Sequence, residues 1–483
     1  MVLNYNMLSV FVRERKRYTL DALSDVFKLD KAKTIECIEK LSLLGVLKIF
    51  DSASAINQDN DLYDIEADTT SLSNTQYYVF VFVGVIVVSG IVIKCYPKYL
   101  LKDGDHTDHL KQVLKVLDKF KRTELSLDRA DDFIADGTSD LLSIMLFILH
   151  DYQENGLYSN TKEIIGINGN GEIHWDRTVN DCFSIIQNNK PYYLDLKTRH
   201  RLNDDLDYFK LLHECVLSSI SRDLKTCGLL DLFDLEDVSL TDSKIDDFGD
   251  KEYILYKLAC EQNSQFNTRK QLLLKALYSY LDKSQDAFKS SFCTLYGTTS
   301  FHVIWERVCA FIFNDMLHES IDSISLPQKI GSRDYSGRLI DIIEKPTWTM
   351  TGTQSSMTLI PDIVTIDTKD DSSKFIIIDA KYYTPSFRQD KAPCGVPGIE
   401  SITKQYLYQL AFKNFIDNYK FSSVENYFVF PTDDDSIKDA GEVFMQMLDD
   451  LDLESIKVRF MPATEAFNLY LSDKKLALDK LHL

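Results

Sequence analysis

The chain has 483 residues, 45% hydrophobic and 27% charged, which excludes a mainly disordered protein and exceeds one ordinary domain. Gly (18) and Pro (10) are too scarce for a collagen-like or low-complexity chain. A net charge of −20 argues against indiscriminate coating of nucleic acid or of an anionic membrane, while leaving room for a local basic site.

The first 50 residues carry nine Lys/Arg against six Asp/Glu, a local +3. Leu8, Phe11 and Val12 fit one face of a helix. Thr19 can cap a second helix bearing Leu20, Leu23 and Phe27, and Asp30 a third with Ile35, Ile38, Leu41 and Leu44 inward, ending at Gly45. With a strand at Val46–Phe50, this pattern predicts a winged helix-turn-helix over residues 1–52. Lys31, Lys33 and Lys40, on or near its third helix, are candidate DNA contacts; a protein-docking role for the same module fits the residues too.

Residues 53–76 continue an acidic stretch, 51–76, that has six acids and no Lys or Arg, and read as a solvated linker. Tyr77–Ile93 is then uncharged for 17 residues. That is the lower limit of a membrane span, but its Val, Ile, Phe and Tyr content and its Ser89-Gly90 pair favour buried strands joined by a tight turn. No membrane association is expected.

A mixed β/helical middle region follows over 77–290. Helical periodicity runs through Leu110–Leu149 and Asp204–Arg222. Gly169 to Thr178 reads as a turn and a short strand, and 229–250, with eight acids and one Lys, as an exposed loop. Asp103, Asp105, His106, Asp108 and His109 read as a solvated loop and helix start rather than a metal site.

Residues 291–483 interleave helices with strands: a helix over Phe301–Phe313, strands at Leu359–Ile366 and Phe375–Asp379, a helix over 401–418, a strand at Tyr427–Pro431 and a helix near 440–450. The fold class is therefore multidomain α/β. The nine cysteines contain no CxxC pair, and the N-terminus lacks a cleavable apolar core, so free thiols and a cytoplasmic location are expected.

The chemistry concentrates in the C-terminal part. Ile360-Pro361-Asp362 and Ile376-Ile377-Ile378-Asp379-Ala380-Lys381 each carry a carboxylate to the end of an apolar run. Strand alternation puts Asp379 and Lys381 on one face. Two carboxylates there are costly unless something neutralises them. Mg²⁺ held by Asp362, Asp379 and the Ala380 carbonyl would do so with hard oxygen ligands. Lys381 could then orient or deprotonate the attacking water. Glu306 lies on the flank of the apolar stripe Phe301, Ile304, Trp305, Val308 and Ile312, and needs a partner there: the metal, or a cation such as Arg307. Gln405 and Gln409, at i and i+4, could support the site or a phosphate, or be an exposed amide pair.

The E…PD…DxK arrangement resembles the PD-(D/E)xK nuclease superfamily. More closely, FHVIWERVCAFIFND, IPDIV, IIIDAKYY and KQYLYQLA, together with YPKYL and GNGEIHWDRT in the middle region, resemble the nuclease subunit of LlaJI-type and McrC-type restriction systems over about residues 77–430. The resemblance implies a PD-(D/E)xK core in 291–483, with Glu306, Asp362, Asp379 and Lys381 as a Mg²⁺-dependent hydrolytic site in which Mn²⁺ can substitute. It implies double-stranded DNA as substrate and a middle region that docks on a separate McrB-like AAA+ GTPase. The chain has no GxxxxGK[ST] of its own, in keeping with a motor on another polypeptide. The alternatives are a non-catalytic adaptor of such a motor and a nuclease acting on branched DNA or RNA.

Overall fold

The computed structural model describes residues 8–51, 76–125, 141–203, 207–287, 293–350, 352–368, 373–387, 392–446 and 451–481. They divide into two compact units: Met1–Arg129 with Leu295–Leu483, and Ala130–Thr294. The acidic linker lies almost wholly outside the described residues.

The first unit opens with a strand where a helix was expected. Leu8–Arg13 (β1) pairs in parallel with Ile91–Tyr96 (β6), in register Leu8 to Ile91. Its apolar positions suit a short helix or a strand equally, and the β-branched Val10 and Val12, buried on one face, settle into the sheet. Arg17–Tyr18 (β2) leads to helices Leu20–Phe27 (α1) and Lys31–Leu43 (α2) and to strand Leu47–Asp51 (β3).

Thr19 and Asp30 cap the two helices as expected, accepting from Ala22 N at 3.2 Å and Lys33 N at 2.9 Å. Gly45, at φ +69°, supplies the left-handed residue just past the end of α2. The buried stripe of α2 is Thr34, Cys37, Ile38 and Leu41, whereas Ile35 and Leu44 are exposed. The helix is thus rotated from the predicted face, because Thr34 and Cys37 are small enough to meet their neighbours closely. The N-terminal module is two helices with a three-stranded sheet in which Gln76–Phe80 pairs between β2 and β3, lacking the first helix of the expected winged helix-turn-helix.

Gln76–Phe80 (β4), Val83–Val88 (β5) and β6 resolve the uncharged segment into strands. Ser89 and Gly90 both have positive φ (49° and 80°), the signature of a two-residue hairpin turn. Among the described residues no helix is long and apolar enough to cross a membrane. Helix Thr107–Leu125 (α3) follows.

The second unit contains helix Leu141–Asn155 (α4) and the strands Thr161–Ile167 (β7), Glu172–Ile173 (β8), Ser184–Gln187 (β9), Lys190–Tyr193 (β10) and Lys197–Asn203 (β11). The expected turn and strand near Gly169 prove to be two strand residues and then helix Trp175–Asp181 (α5), capped by His174. Helices Tyr208–Thr226 (α6), Leu229–Leu232 (α7), Lys251–Ser264 (α8) and Thr268–Ala287 (α9) complete it. The acidic stretch 229–250 begins not as a loop but with α7, whose leucines are buried.

The chain then returns to the first unit through Cys293–Thr298 (β12), which completes the four-stranded sheet β1-β6-β5-β12. Helix Phe301–Ile312 (α10) and a small hairpin, Thr347–Trp348 (β13) with Thr353–Gln354 (β14), precede the main sheet. That sheet has the order β15-β16-β17-β19-β18, formed by Ile363–Asp367, Lys374–Ala380, Ser423–Thr432, Ile456–Pro462 and Lys438–Val443 respectively. Helix Ile399–Tyr419 (α11) crosses between the parallel strands β16 and β17, and Ala463–Leu471 (α12) follows β19. The predicted helix near 440–450 begins as strand β18, a short edge strand whose Lys, Asp and Glu suit a sheet border.

Phe375, Ile376, Ile377 and Ile378 are all fully buried, which explains why β16 reads as an unbroken apolar run: both faces of the sheet are covered there. Phe375 and Ile377 pack on Phe412 and Phe415 of α11.

A close backbone approach joins the N-terminal and C-terminal halves of this unit. Gly84 has φ +141°, and a Cβ there would stand 2.1 Å from the Tyr296 carbonyl oxygen; one on Gly297 would stand 2.1 Å from Val83 O. Gly84→Ala is expected to destabilise by about 3 kcal/mol, read as a lowered denaturation midpoint, because backbone rather than a flexible side chain must move.

Candidate active site

The antiparallel register of β15 and β16 pairs Ile363 with Ile378, so Asp362 and Asp379 follow as the next facing pair. Pro361, which has no N–H, ends the ladder here, and Asp362 lies one residue before β15. Asp379 is buried in β16, with a side-chain hydrogen bond to Asp362. Lys381 Nζ lies 2.9 Å from Asp379 Oδ1, as strand alternation predicts. Apart from this ion pair, Asp379 Oδ1 has no hydrogen-bond partner, and Asp362 Oδ2 is buried without one as well.

Burial, and then the hydrogen bond and charge of Asp362, push the Asp379 carboxyl well above the usual carboxylate range, with Lys381 opposing. Asp379 therefore keeps its proton at a pH where an ordinary carboxyl has lost it, when nothing else neutralises the site. Glu306 is half-buried on α10 and is pushed up to about 7, by burial first and then by Asp362, against the pull of Lys381. Its electrostatic neighbours are thus the other site residues rather than Arg307.

These atoms fit a hard cation: two carboxylates whose buried oxygens lack partners, at the strand end that also carries the Ala380 carbonyl. Among the described residues no group of three or more His, Cys, Asp or Glu side chains is arranged to hold a metal. Glu306 is thus not drawn into a three-carboxylate group with Asp362 and Asp379 in this structure.

Gln405 and Gln409 are buried and do not form an exposed pair. Gln405 Nε2 donates to Asn426 Oδ1 at 2.6 Å, while Gln409 exchanges bonds with Glu454, donating to its O at 2.8 Å and accepting from its N at 3.0 Å. Both fasten α11 to its surroundings. Lys31, Lys33 and Lys40 sit on α2 with acidic partners: Asp21 at 2.6 Å, Asp30 at 3.6 Å and Glu36 at 2.8 Å.

Two residues escaped the sequence reading. Tyr408, buried on α11, is raised to about 12 by burial first and then by the charges of Asp379 and Asp362. A tyrosine between two candidate glutamines was the available signal. Asp315 Oδ1 accepts from Val364 N at 3.0 Å and Leu317 N at 3.1 Å, and Met316 N donates to Val364 O at 2.8 Å. Asp315 thereby ties the segment after α10 to the start of β15, and with it Glu306 to Asp362. It closes the peptide FHVIWERVCAFIFND, but nothing local marks it.

The model of the LlaJI restriction endonuclease family matches residues 82–464, and the chain belongs to that family. Among curated proteins it is similar to the type II restriction enzyme BsuMI component YdjA of Bacillus subtilis strain 168, with 30% identity over 413 residues, 83% of each chain. Among solved structures it matches a McrC-bound assembly of Thermococcus gammatolerans McrB AAA+ hexamers, with 11% identity, 96% of this chain and 99% of that one, at a TM-score of 0.38. A second match, to the McrBC complex of that organism, has 10% identity over 62% of this chain and 85% of that one, at a TM-score of 0.26. The family assignment makes the chain a nuclease component of a restriction system.

The raised Glu306 carboxyl has a pH consequence. Its folded value of about 7 lies above the ordinary 4.5, so the folded state binds the proton more tightly and loses stability as pH rises from about 4.5 to about 7. In chelator, Glu306→Gln should match wild type below pH 4.5 and melt higher at pH 8, by an amount on the order of a few degrees, as followed by calorimetry.

Proposed function

We propose that this chain cleaves DNA with Mg²⁺, Mn²⁺ substituting, as the PD-(D/E)xK nuclease subunit of a restriction system that acts against invading phage DNA. The observation that carries the reading is the facing Asp362–Asp379 pair, buried and short of partners, with Lys381 at 2.9 Å. A pair of that kind is destabilising in a protein with no use for a cation.

Asp362, Asp379 and the Ala380 carbonyl would hold the ion. Bound there, Mg²⁺ would act as a Lewis acid at the phosphoryl oxygen and favour in-line attack of water. Burial alone would lower the Lys381 pKa, but Asp379, Asp362 and Glu306 outweigh it and hold the group above its usual value. Lys381 therefore works as an ammonium, orienting the water and offsetting charge at the phosphate, rather than as the base. Glu306, near 7, is the group suited to take up a proton at neutral pH.

Double-stranded DNA is the substrate this reading favours, and an McrB-like AAA+ GTPase is the partner. The similar Bacillus subtilis protein is named as one component of a restriction enzyme, which supports a nuclease that works with other chains. A chain of charge −20 binds DNA weakly by itself, so a motor that recognises DNA would supply the affinity. Lys31 and Lys33 are exposed, and ion pairs of that kind are weak enough to exchange for phosphates.

The alternative is a non-catalytic adaptor of the same motor. Supercoiled plasmid with Mg²⁺, tested without and with an McrB-like GTPase and GTP, separates the two. Wild type should nick or linearise the plasmid, and Asp379→Asn should lose at least about 10³-fold in rate. Equal inactivity of both proteins under every condition would favour the adaptor.

A further inference from the structure

The residue that follows Lys381 is held from outside its own sheet. Tyr382 is buried, and its hydroxyl donates to Glu14 Oε2 at 2.6 Å. The same carboxylate oxygen accepts from Lys98 N at 3.3 Å, and that N–H also lies 3.3 Å from the Tyr382 hydroxyl. Lys98 Nζ stands over the Tyr382 ring at 4.8 Å and the Tyr383 ring at 5.6 Å. Glu14 is 4% exposed and Lys98 9%, so this is an interior knot and not a surface pairing.

Each element of the knot has a different origin. Glu14 immediately follows β1, and its own N–H donates to Tyr96 O at 2.9 Å. Lys98 belongs to the YPKYL segment after β6. Phe301, the first residue of the helix that carries Glu306, packs on the Tyr382 ring at 5.2 Å between centroids. On the opposite side, Lys381 N donates to Val429 O at 3.0 Å, so the backbone of the lysine is anchored to β17 while its successor is anchored to Glu14.

A lysine side chain has four rotatable bonds, and where its ammonium lies depends first on where its backbone is held. Misplacement of a catalytic group by about 1 Å can cost on the order of 10²-fold in rate. A buried carboxylate such as Glu14 is costly unless it is hydrogen-bonded, and here its donors are the two groups that flank the strand end.

We propose that Glu14, with Lys98, is a positioning residue for DNA cleavage: through Tyr382 it fixes the end of β16 and thereby the reach of Lys381 toward Asp379. This rests on the nuclease reading above. It assigns a part in the reaction to a residue outside the 82–464 span that matches the restriction endonuclease family.

The test uses the full chain as wild type, Glu14→Ala, Glu14→Gln and Tyr382→Phe, at a temperature where all are folded. Plasmid cleavage with Mg²⁺ and the GTPase partner gives kcat and KM, and amide hydrogen exchange follows the Lys381 N–H. Glu14→Ala and Tyr382→Phe should lower kcat about 10- to 100-fold with KM for DNA nearly unchanged. Their Lys381 amide should exchange faster while amides of β17 and β19 do not. Glu14→Gln, which still offers an acceptor to the phenol, should recover kcat to within about threefold of wild type.

Wild-type kcat in Glu14→Ala and Tyr382→Phe, with only the melting temperature lowered, overturns the proposal. Unchanged Lys381 exchange in both variants overturns it as well. If wild type fails to cut while the exchange still responds, the nuclease reading falls and the anchoring of the strand end stands.

Discussion

Everything around the site is organised by one electrostatic constraint: two carboxylates, Asp362 and Asp379, face each other at the end of an apolar strand pair. Left alone they repel, and burial removes the water that would otherwise separate their charges. The chain tolerates them because β16 is fixed on both sides, by β15 and β17, with both sheet faces covered. A rigid frame of this kind holds the two acids together at the cost of some stability.

That frame is built from distant parts of the chain. Asp315 sets the start of β15, α11 covers the face that bears Phe375 and Ile377, and Gln405 and Gln409 secure α11 in turn. The charges of the two acids also reach Tyr408 on the same helix. The N-terminal module contributes Glu14 to the strand end. The site is therefore a property of the whole first unit, although its acids and its lysine come from a few short peptides.

The site was more legible in the sequence than the scaffold. Asp362, Asp379 and Lys381 stand at the ends of apolar runs, where strand alternation fixes their relative direction, and the structure brings them together. Thr19, Asp30 and Gly45 marked helix ends by chemistry that acts within three or four residues, and those readings hold. The failures share a cause: they depend on partners far along the chain. Leu8–Arg13 is a strand because β6 lies beside it, and Lys438–Val443 is a strand because β19 does. The stripe of α2 is rotated because Cys37 and Thr34 meet neighbours that periodicity cannot see. Gln405 and Gln409 read as site support or as an exposed amide pair because their actual acceptors, Asn426 and the backbone of Glu454, come from later segments.

The bond between Glu14 and Tyr382 joins residues 368 positions apart. On the ribosome, at roughly 5–20 residues per second, the N-terminal strand waits about 20–70 s for the tyrosine that completes its contacts. During that interval β5 also lacks β12, which is made only after the whole second unit has been synthesised. A nascent or truncated chain thus has neither a closed first sheet nor an anchored lysine. The strand-end anchor can form only once residue 382 has been made, and fragments released before that point lack it.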